Sequence, residues 1–103
     1  MRMGSPQYGE LVLDDHAVPD AQGIEFQSLT WSHDGRKLAA QELVSWVDGP
    51  ETGVVVFDAD NRVRVAASSP HAGLCDPLRF EADQLVYRHW HHQRGERELR
   101  LAL

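Results

Sequence analysis

The stretch LTWSHDGRKLAA (residues 29–40) indicates how this chain folds. Leu29 and Trp31 alternate with polar residues before a corner at Asp34 and Gly35, and an apolar run follows it. Asp-Gly between apolar stretches is the strongest short-range signal for a β-hairpin, because glycine adopts a positive φ at no steric cost. The stretch therefore predicts two antiparallel strands joined at this corner.

The segments on either side extend these strands. Residues 37–47 begin with good helix formers, but entry from a tight turn and the ending VSWV favour a long strand over a helix. Upstream, residues 24–32 alternate, and the apolar face changes between Phe26 and Leu29. That change predicts a β-bulge, or a strand that begins after residue 24.

Further strand signals fill the rest of the chain. The β-branched run at 54–58 predicts a buried strand. Residues 62–67 alternate, with Val63 and Val65 expected to face the core. Together with apolar stretches at 8–13, 78–80, 85–92 and 97–103, the pattern predicts an all-β protein of about eight antiparallel strands.

The opening hairpin has a second copy in LRFEADQLVY, when a gap is placed at the turn. Three positions recur 49 residues apart: Leu29 with Leu78, Trp31 with Phe80, and Asp34 with Asp83. Leu38 then matches Leu85 after the shorter turn. A period of 40–50 residues containing four short strands is typical of a propeller blade.

An aromatic residue followed by Ser-x-Asp-Gly-Arg-x-Leu-Ala resembles the blades of TolB-like and prolyl-oligopeptidase-type β-propellers. Those families commonly have proline where this chain has His33. The resemblance is good over residues 29–67 and weak over 78–103. It implies blade-like local structure and no functional residues, since propellers host many unrelated functions.

Two blades are too few to surround a channel, because propellers use about 4–8. We therefore expect a single domain (1–103) of two blade-like four-stranded meanders, at 24–67 and 78–103. The meanders pack as a small sandwich or form part of a propeller completed by other chains. A strand at 8–13 is expected to complete the second sheet.

Composition restricts the function classes. The net charge of −6 argues against nucleic-acid binding, which depends on basic side chains. A single cysteine, Cys75, excludes an internal disulfide and favours a reducing cytoplasm. No apolar run reaches the length of a signal peptide or a membrane span, so we expect a cytoplasmic protein that does not bind membranes.

The stretch RHWHH offers a candidate zinc site. On a strand, His89 and His91 would project to the same face at a spacing that can hold one zinc ion. The third ligand is undefined, with Cys75, His71 and His33 as candidates. The alternative interpretation is a half-exposed strand face with Trp90 turned toward the core.

No catalytic or cofactor motif stands out. Cys75, expected in a loop, has no defined base, and Ser69 near His71 lacks a nucleophile-elbow pattern. No glycine-rich phosphate loop is present, so no cofactor is expected. The tryptophans at 31, 46 and 90 lie among apolar neighbours and are expected to pack in the core.

Acidic residues concentrate at the predicted loop tips, and four of them form the candidate partner-binding surface: Asp48, Glu51, Asp58 and Asp60. Such a surface fits a basic protein partner. The expected function is a non-enzymatic acidic protein-binding module, in its sharpest form an immunity-type inhibitor of a bacterial toxin. The alternatives are a metal-binding protein or metalloenzyme using His89 and His91, and a self-associating, homo-oligomeric propeller-like scaffold or sensor.

Overall fold

The chain folds into antiparallel β-sheets, in a computed structural model that describes residues 8–13, 15–19, 21 and 23–103. These described residues contain no helix, so the all-β prediction is confirmed. The strands are β1 (Tyr8–Gly9), β2 (Val12–Leu13), β3 (His16–Ala17), β4 (Ile24–Trp31), β5 (Lys37–Ser45), β6 (Glu51–Asp58), β7 (Val63–Ala67), β8 (His71–Ala72), β9 (Leu74–Glu81), β10 (Gln84–His91) and β11 (Gly95–Ala102).

Two main sheets account for most of these strands. The first has the order β1-β4-β5-β6-β7, with β8 also paired to β6. The second has the order β11-β10-β9, and β2 and β3 form a small separate hairpin. The second meander therefore has three strands instead of the expected four.

The N-terminal strand does not complete the second sheet as expected. Tyr8 pairs with Glu25 and Gly9 with Ile24, which places β1 on the edge of the first sheet. The physical reason is that the first sheet is apolar on both faces. The second sheet covers one face, and the N-terminal segment is needed to cover the other. Val18 and neighbouring residues of the N-terminal segment pack there.

Strands β5 and β6 are buried on both faces. Leu38 and Phe57 belong to a cluster with the N-terminal segment, whereas Ala39 and Val56 belong to a cluster with the second sheet. A strand covered on both sides needs consecutive apolar residues instead of alternation, which explains the runs LAA and VVVF. The molecule thus has three layers, with the first sheet in the middle.

The hairpin between β4 and β5 is confirmed. Gly35 has a φ of +74°, as the Asp-Gly signal predicts. The Asp34 carboxylate closes the turn, because it accepts hydrogen bonds from the Ser32 hydroxyl at 2.7 Å and the Arg36 N–H at 3.0 Å. The prediction of a strand and not a helix at 37–47 is correct, although β5 ends at Ser45, and the register shift between Glu25 and Thr30 is the predicted bulge.

The two hairpins share the register on which the repeat alignment depends. Trp31 lies opposite Leu38 in the first hairpin, and Phe80 lies opposite Leu85 in the second. Their surroundings differ, because Trp31 is half exposed whereas Phe80 packs against the core between the sheets. The equal register is a structural fact, and the relationship to propeller blades stays a prediction.

Several side chains expected in the core are exposed. Trp31, Trp46 and Trp90 are 49%, 59% and 43% exposed. Successive side chains of a strand point to opposite faces, and Tyr87 and His89 lie on the buried face of β10. Trp90 therefore points outward. Val63 and Val65 are also exposed, since Arg64 between them lies over the Phe57 ring and occupies the inner side of β7.

The second sheet is anchored to the first through the free edge of β9. Cys75, expected in a loop, is a buried residue of this strand. The Thr52 hydroxyl on β6 donates to the Gly73 carbonyl at 2.9 Å and accepts from the Cys75 N–H at 3.0 Å. The Thr52 hydroxyl thus satisfies the hydrogen bonding of two backbone groups that have no partner on a neighbouring strand.

Two further side chains extend this contact along β9. The Gln41 amide on β5 donates to the Cys75 carbonyl at 2.7 Å. The Thr30 hydroxyl on β4 donates to the Pro77 carbonyl at 3.0 Å. Strand β9 therefore lies across three strands of the first sheet, with its edge satisfied by side chains instead of a neighbouring strand.

Thr52→Val should destabilise the protein by about 1–3 kcal/mol, because it keeps the side-chain shape and leaves the Gly73 carbonyl and the Cys75 N–H buried without partners. Urea unfolding measures this loss. Thr30→Val is the matched control, since it removes one bond at a half-buried site, and we expect a loss of about 1 kcal/mol or less. Equal losses for the two variants would contradict the anchoring role of Thr52.

Candidate functional site

The connection between β5 and β6 carries the most exposed apolar side chains of the described residues. Trp46 is 59% exposed and Val47 is 84% exposed. Val44, just before them, is also exposed, and Asp48 and Glu51 flank the turn. We call these five residues the tryptophan tip.

The tip is exposed because it projects beyond the sheets. The register of β5 and β6 shifts between Leu43 and Ser45, and Ser45 and Glu51 are the last pair. Gly49 turns the chain with a φ of +95°, a conformation that glycine adopts without strain. Past the last pair, residues 46–49 pair with no strand of the described chain, and Trp46 and Val47 are exposed to solvent.

The structure divides the four predicted acidic residues between two ends of the molecule. Asp48 and Glu51 lie at the start of β6, whereas Asp58 and Asp60 lie at its end. The strand between them is about 23 Å long, at about 3.3 Å per residue. The four carboxylates therefore form two separate groups, and their joint role in binding a partner stays a prediction.

At the far end, Asp58 acts within the turn that follows β6. Its carboxylate accepts hydrogen bonds from the N–H groups of Asp60 and Asn61 and from the Asn61 side-chain amide. The bonds from Asn61 hold the pKa of the Asp58 carboxyl below its usual value. Lys37 lies opposite Asp58 across the strands, so this end is not purely acidic.

At the tip, Asp48 and Glu51 form no ion pair with another described residue. Asp48 is exposed and Glu51 is half-buried. These two of the four carboxylates are therefore free to interact with a partner, and they lie next to exposed apolar surface.

The predicted histidine pair is divided between two environments. His89 is only 5% exposed, and its Nε2–H donates to the Ala72 carbonyl at 2.6 Å, which ties β8 to β10. His91 instead stacks on His92, with 4.5 Å between ring centroids. Its Nδ1 accepts a hydrogen bond from the Gln93 N–H.

The neighbour of His89 is His71, whose ring lies 4.9 Å away. His71 Nε2 is 3.1 Å from the Tyr87 hydroxyl. Burial, followed by the charges of His89 and Arg97, holds the pKa of His71 below its usual value. This cluster ties the short β8 strand to the second sheet.

The other candidate ligands are occupied or lie elsewhere. Cys75 is buried, its Sγ lies 3.6 Å from the Thr52 carbonyl, and burial raises the pKa of its thiol to about 11. His33 lies in the exposed β4–β5 turn. Within residues 8–13, 15–19, 21 and 23–103, no three His, Cys, Asp or Glu side chains are grouped to hold a metal ion.

Comparisons with protein-family models, with curated proteins and with solved structures returned no match. No helix that could cross a membrane occurs in the part of the chain that the structure describes. The apolar part of the tryptophan tip was missed from the sequence, because Trp46 was expected to be a core residue, whereas Asp48 and Glu51 were candidates. The available signal was the sequence SWVDGP, in which an aromatic residue and a valine directly precede a turn.

His71 should make the protein less stable in mild acid. Its folded pKa is lowered, so the unfolded chain binds the proton more readily and stability falls as the pH drops through the unfolded value near 6.5. Thermal unfolding at pH 7.5 and 5.5 measures this loss, and His71→Gln should lose less stability over that interval. His33→Gln, in the exposed β4–β5 turn, is the control and should behave as wild type. An unchanged pH dependence in His71→Gln would contradict the assignment.

Proposed function

We propose that this protein is a non-enzymatic protein-binding module that uses the tryptophan tip to contact its partner. The observation that carries the proposal is the exposure of Trp46 (59%) and Val47 (84%) at a turn beyond the last strand pair. Tryptophan is strongly enriched among the residues that dominate binding energy in protein interfaces.

The energetics of the tip favour association. Burying an apolar side chain of this size against a partner contributes about 1.5–3 kcal/mol relative to leaving it exposed. The loop that carries Trp46 begins and ends at the paired residues Ser45 and Glu51. Because the hairpin holds the loop at both ends, little ordering is needed on binding, which limits the entropic penalty.

Charge indicates the chemistry of the partner. The chain has a net charge of −6, and Asp48 and Glu51 add unpaired carboxylates beside the apolar centre of the tip. An apolar anchor with a charged rim is the usual anatomy of a protein interface. The partner surface is therefore a hydrophobic pocket bordered by lysine or arginine side chains.

Within this class, the function that we favour is an immunity-type inhibitor, which neutralises a basic bacterial toxin by occupying its surface. Small size and acidity suit that role, because electrostatic attraction speeds the encounter with a basic target. The tip then provides the anchor that slows dissociation.

Trp46→Ala should weaken partner binding by at least about tenfold, because it removes the apolar anchor. A photo-crosslinking amino acid at the exposed position 47, which leaves Trp46 in place, identifies the partner in cells. Calorimetry with the purified partner gives the dissociation constant. Trp31→Ala is the matched control, an equally half-exposed tryptophan outside the tip, and should change affinity by less than about twofold. Equal losses at the two positions would exclude the tip as the specific contact.

Charge reversal at the tip should act mainly on the association rate. Asp48→Lys combined with Glu51→Lys should slow association by about tenfold at low salt and reduce its salt dependence, since steering charges act before contact. Stopped-flow fluorescence measures the rate. Asp60→Lys, at the other end of β6, is the control with the same kind of charge change. If Asp60→Lys slowed association as strongly as the tip variant does for each reversed charge, the change in net charge alone would explain the effect.

A further inference from the structure

We propose that β11 pairs in antiparallel fashion with the same strand of a second copy of this chain, joining the second sheets of two molecules. The proposal goes beyond the partner contact at the tryptophan tip and is independent of it. It rests on the edge of β11, on the order of charges along it and on the residue at its centre.

Among the described strands, β11 has the longest uncovered edge. It is eight residues long, lies at the end of the second sheet, and pairs with β10 without a register shift. At the other edges, β7 is five residues long and bulged, β1 has two residues, and β9 is covered by the first sheet. Edges of this length are usually blocked or paired with another chain.

The outward backbone groups belong to alternate residues. The Leu103 N–H donates to the Asp83 carbonyl at 2.8 Å, so residue 103 and every second residue before it point toward β10. The groups facing outward are those of Glu96, Glu98, Arg100 and Ala102. In an antiparallel pair, these are the residues that exchange hydrogen bonds with the neighbouring strand.

The charges of these four residues are self-complementary. When two copies meet with Leu99 opposite Leu99, Glu98 lies opposite Arg100 of the second copy, and Arg100 opposite its Glu98. Glu96 then lies opposite Ala102. A shift of two residues in one direction sets Glu98 against Glu98, with Glu96 opposite Arg100 on either side, and in the other direction it sets Arg100 against Arg100. The proposed register is the only one of these three without like charges opposite each other, and it forms the most backbone hydrogen bonds, about eight.

The paired edges continue an existing array of ion pairs. On the outer face of the second sheet, Glu98 interacts with Arg79 at 3.2 Å, and Arg100 interacts with Glu81 at 2.9 Å. Arg79 and Glu81 also interact with each other. A second copy adds a strand that places Arg100 beside Glu98 and Glu98 beside Arg100, so the opposite charges continue across the joined sheets.

The opposite face of the interface is apolar at its centre. Leu99 is half-buried and packs against the core between the sheets. In the proposed register it meets its own copy at a pair without hydrogen bonds, where facing side chains lie closest. An interface of one strand pair is small, below about 1,200 Å² in total, so the dimer should dissociate in the micromolar range or above.

Sedimentation velocity over a wide concentration range tests the proposal with charge-complementary variants. Glu98→Arg alone sets two arginines against each other where positions 98 and 100 meet, and Arg100→Glu alone sets two glutamates against each other there. We expect each variant to weaken self-association by about tenfold or more. An equimolar mixture of the two restores the attraction between unlike charges, and we expect a heterodimer within about threefold of the wild-type affinity.

Glu96→Arg is the matched control. It changes the net charge as Glu98→Arg does, but residue 96 faces Ala102, so self-association should change by less than about twofold. Circular dichroism and the melting temperature of every variant establish that the chain is folded. A wild-type protein that stays monomeric at all concentrations, a mixture that binds no better than its components, or an equal effect at position 96 would overturn the proposal.

Disulfide formation tests the register separately. Leu99→Cys places two thiols at facing positions about 4.5 Å apart between Cα atoms, within reach of a disulfide. Arg97→Cys places them about 13 Å apart along the strands, because residue 97 faces residue 101. Mild oxidation should therefore give a covalent dimer with Leu99→Cys only. The native Cys75 is buried and does not compete. Crosslinking at 97 but not at 99 would exclude the proposed register.

Discussion

The contact between the backbone edge of β9 and the side chains of the first sheet is the constraint on which the structure depends. Strand β9 is buried at an edge, and buried N–H and C=O groups without partners are expensive. Thr52, Gln41 and Thr30, on three successive strands, supply those partners. This arrangement fixes how the second sheet crosses the first, because each threonine or amide meets one position of β9. It also leaves β11, at the far side of the same sheet, as the exposed edge.

Local signals in the sequence were sufficient for the main hairpins, but not for the start of β9, which includes Cys75, and not for the layers. The Asp-Gly corner predicted the first hairpin because glycine preference is a property of one residue, and Gly35 has the expected positive φ. The change of apolar face between Phe26 and Leu29 predicted the bulge, because alternation is also a property of neighbouring residues. The runs LAA and VVVF predicted burial, yet not which elements would cover each face. Covering the outer face requires the N-terminal segment, a long-range choice that no local pattern records.

The sequence predicted which residue types lie at the turns, but it did not predict where those turns lie relative to one another. The acidic residues do lie at turns, but the length of β6 separates Asp48 and Glu51 from Asp58 and Asp60, and only a registered sheet shows that. The tryptophans were assigned to the core because large apolar residues are usually buried. Trp90 is exposed because it lies on the outward face of β10, and Trp46 is exposed because it lies past the last strand pair. The histidines were expected to share one environment, whereas only His89 reaches the interior.

A chain with a net charge of −6 repels its own copies, and this repulsion bears on the proposed pairing of β11. Long-range repulsion is screened over a Debye length of about 8 Å at physiological ionic strength. The Glu98–Arg100 pairs would act at shorter range than that, at the closest approach of the two backbones. Added salt therefore weakens the repulsion between whole molecules more than the attraction between facing strands. In the proposed function, association through the tryptophan tip depends on the reverse balance, since steering of a basic partner would use the long-range field that salt removes. Association through the tip and association through β11 should thus respond to ionic strength in opposite directions, which separates the two surfaces on a single intact protein.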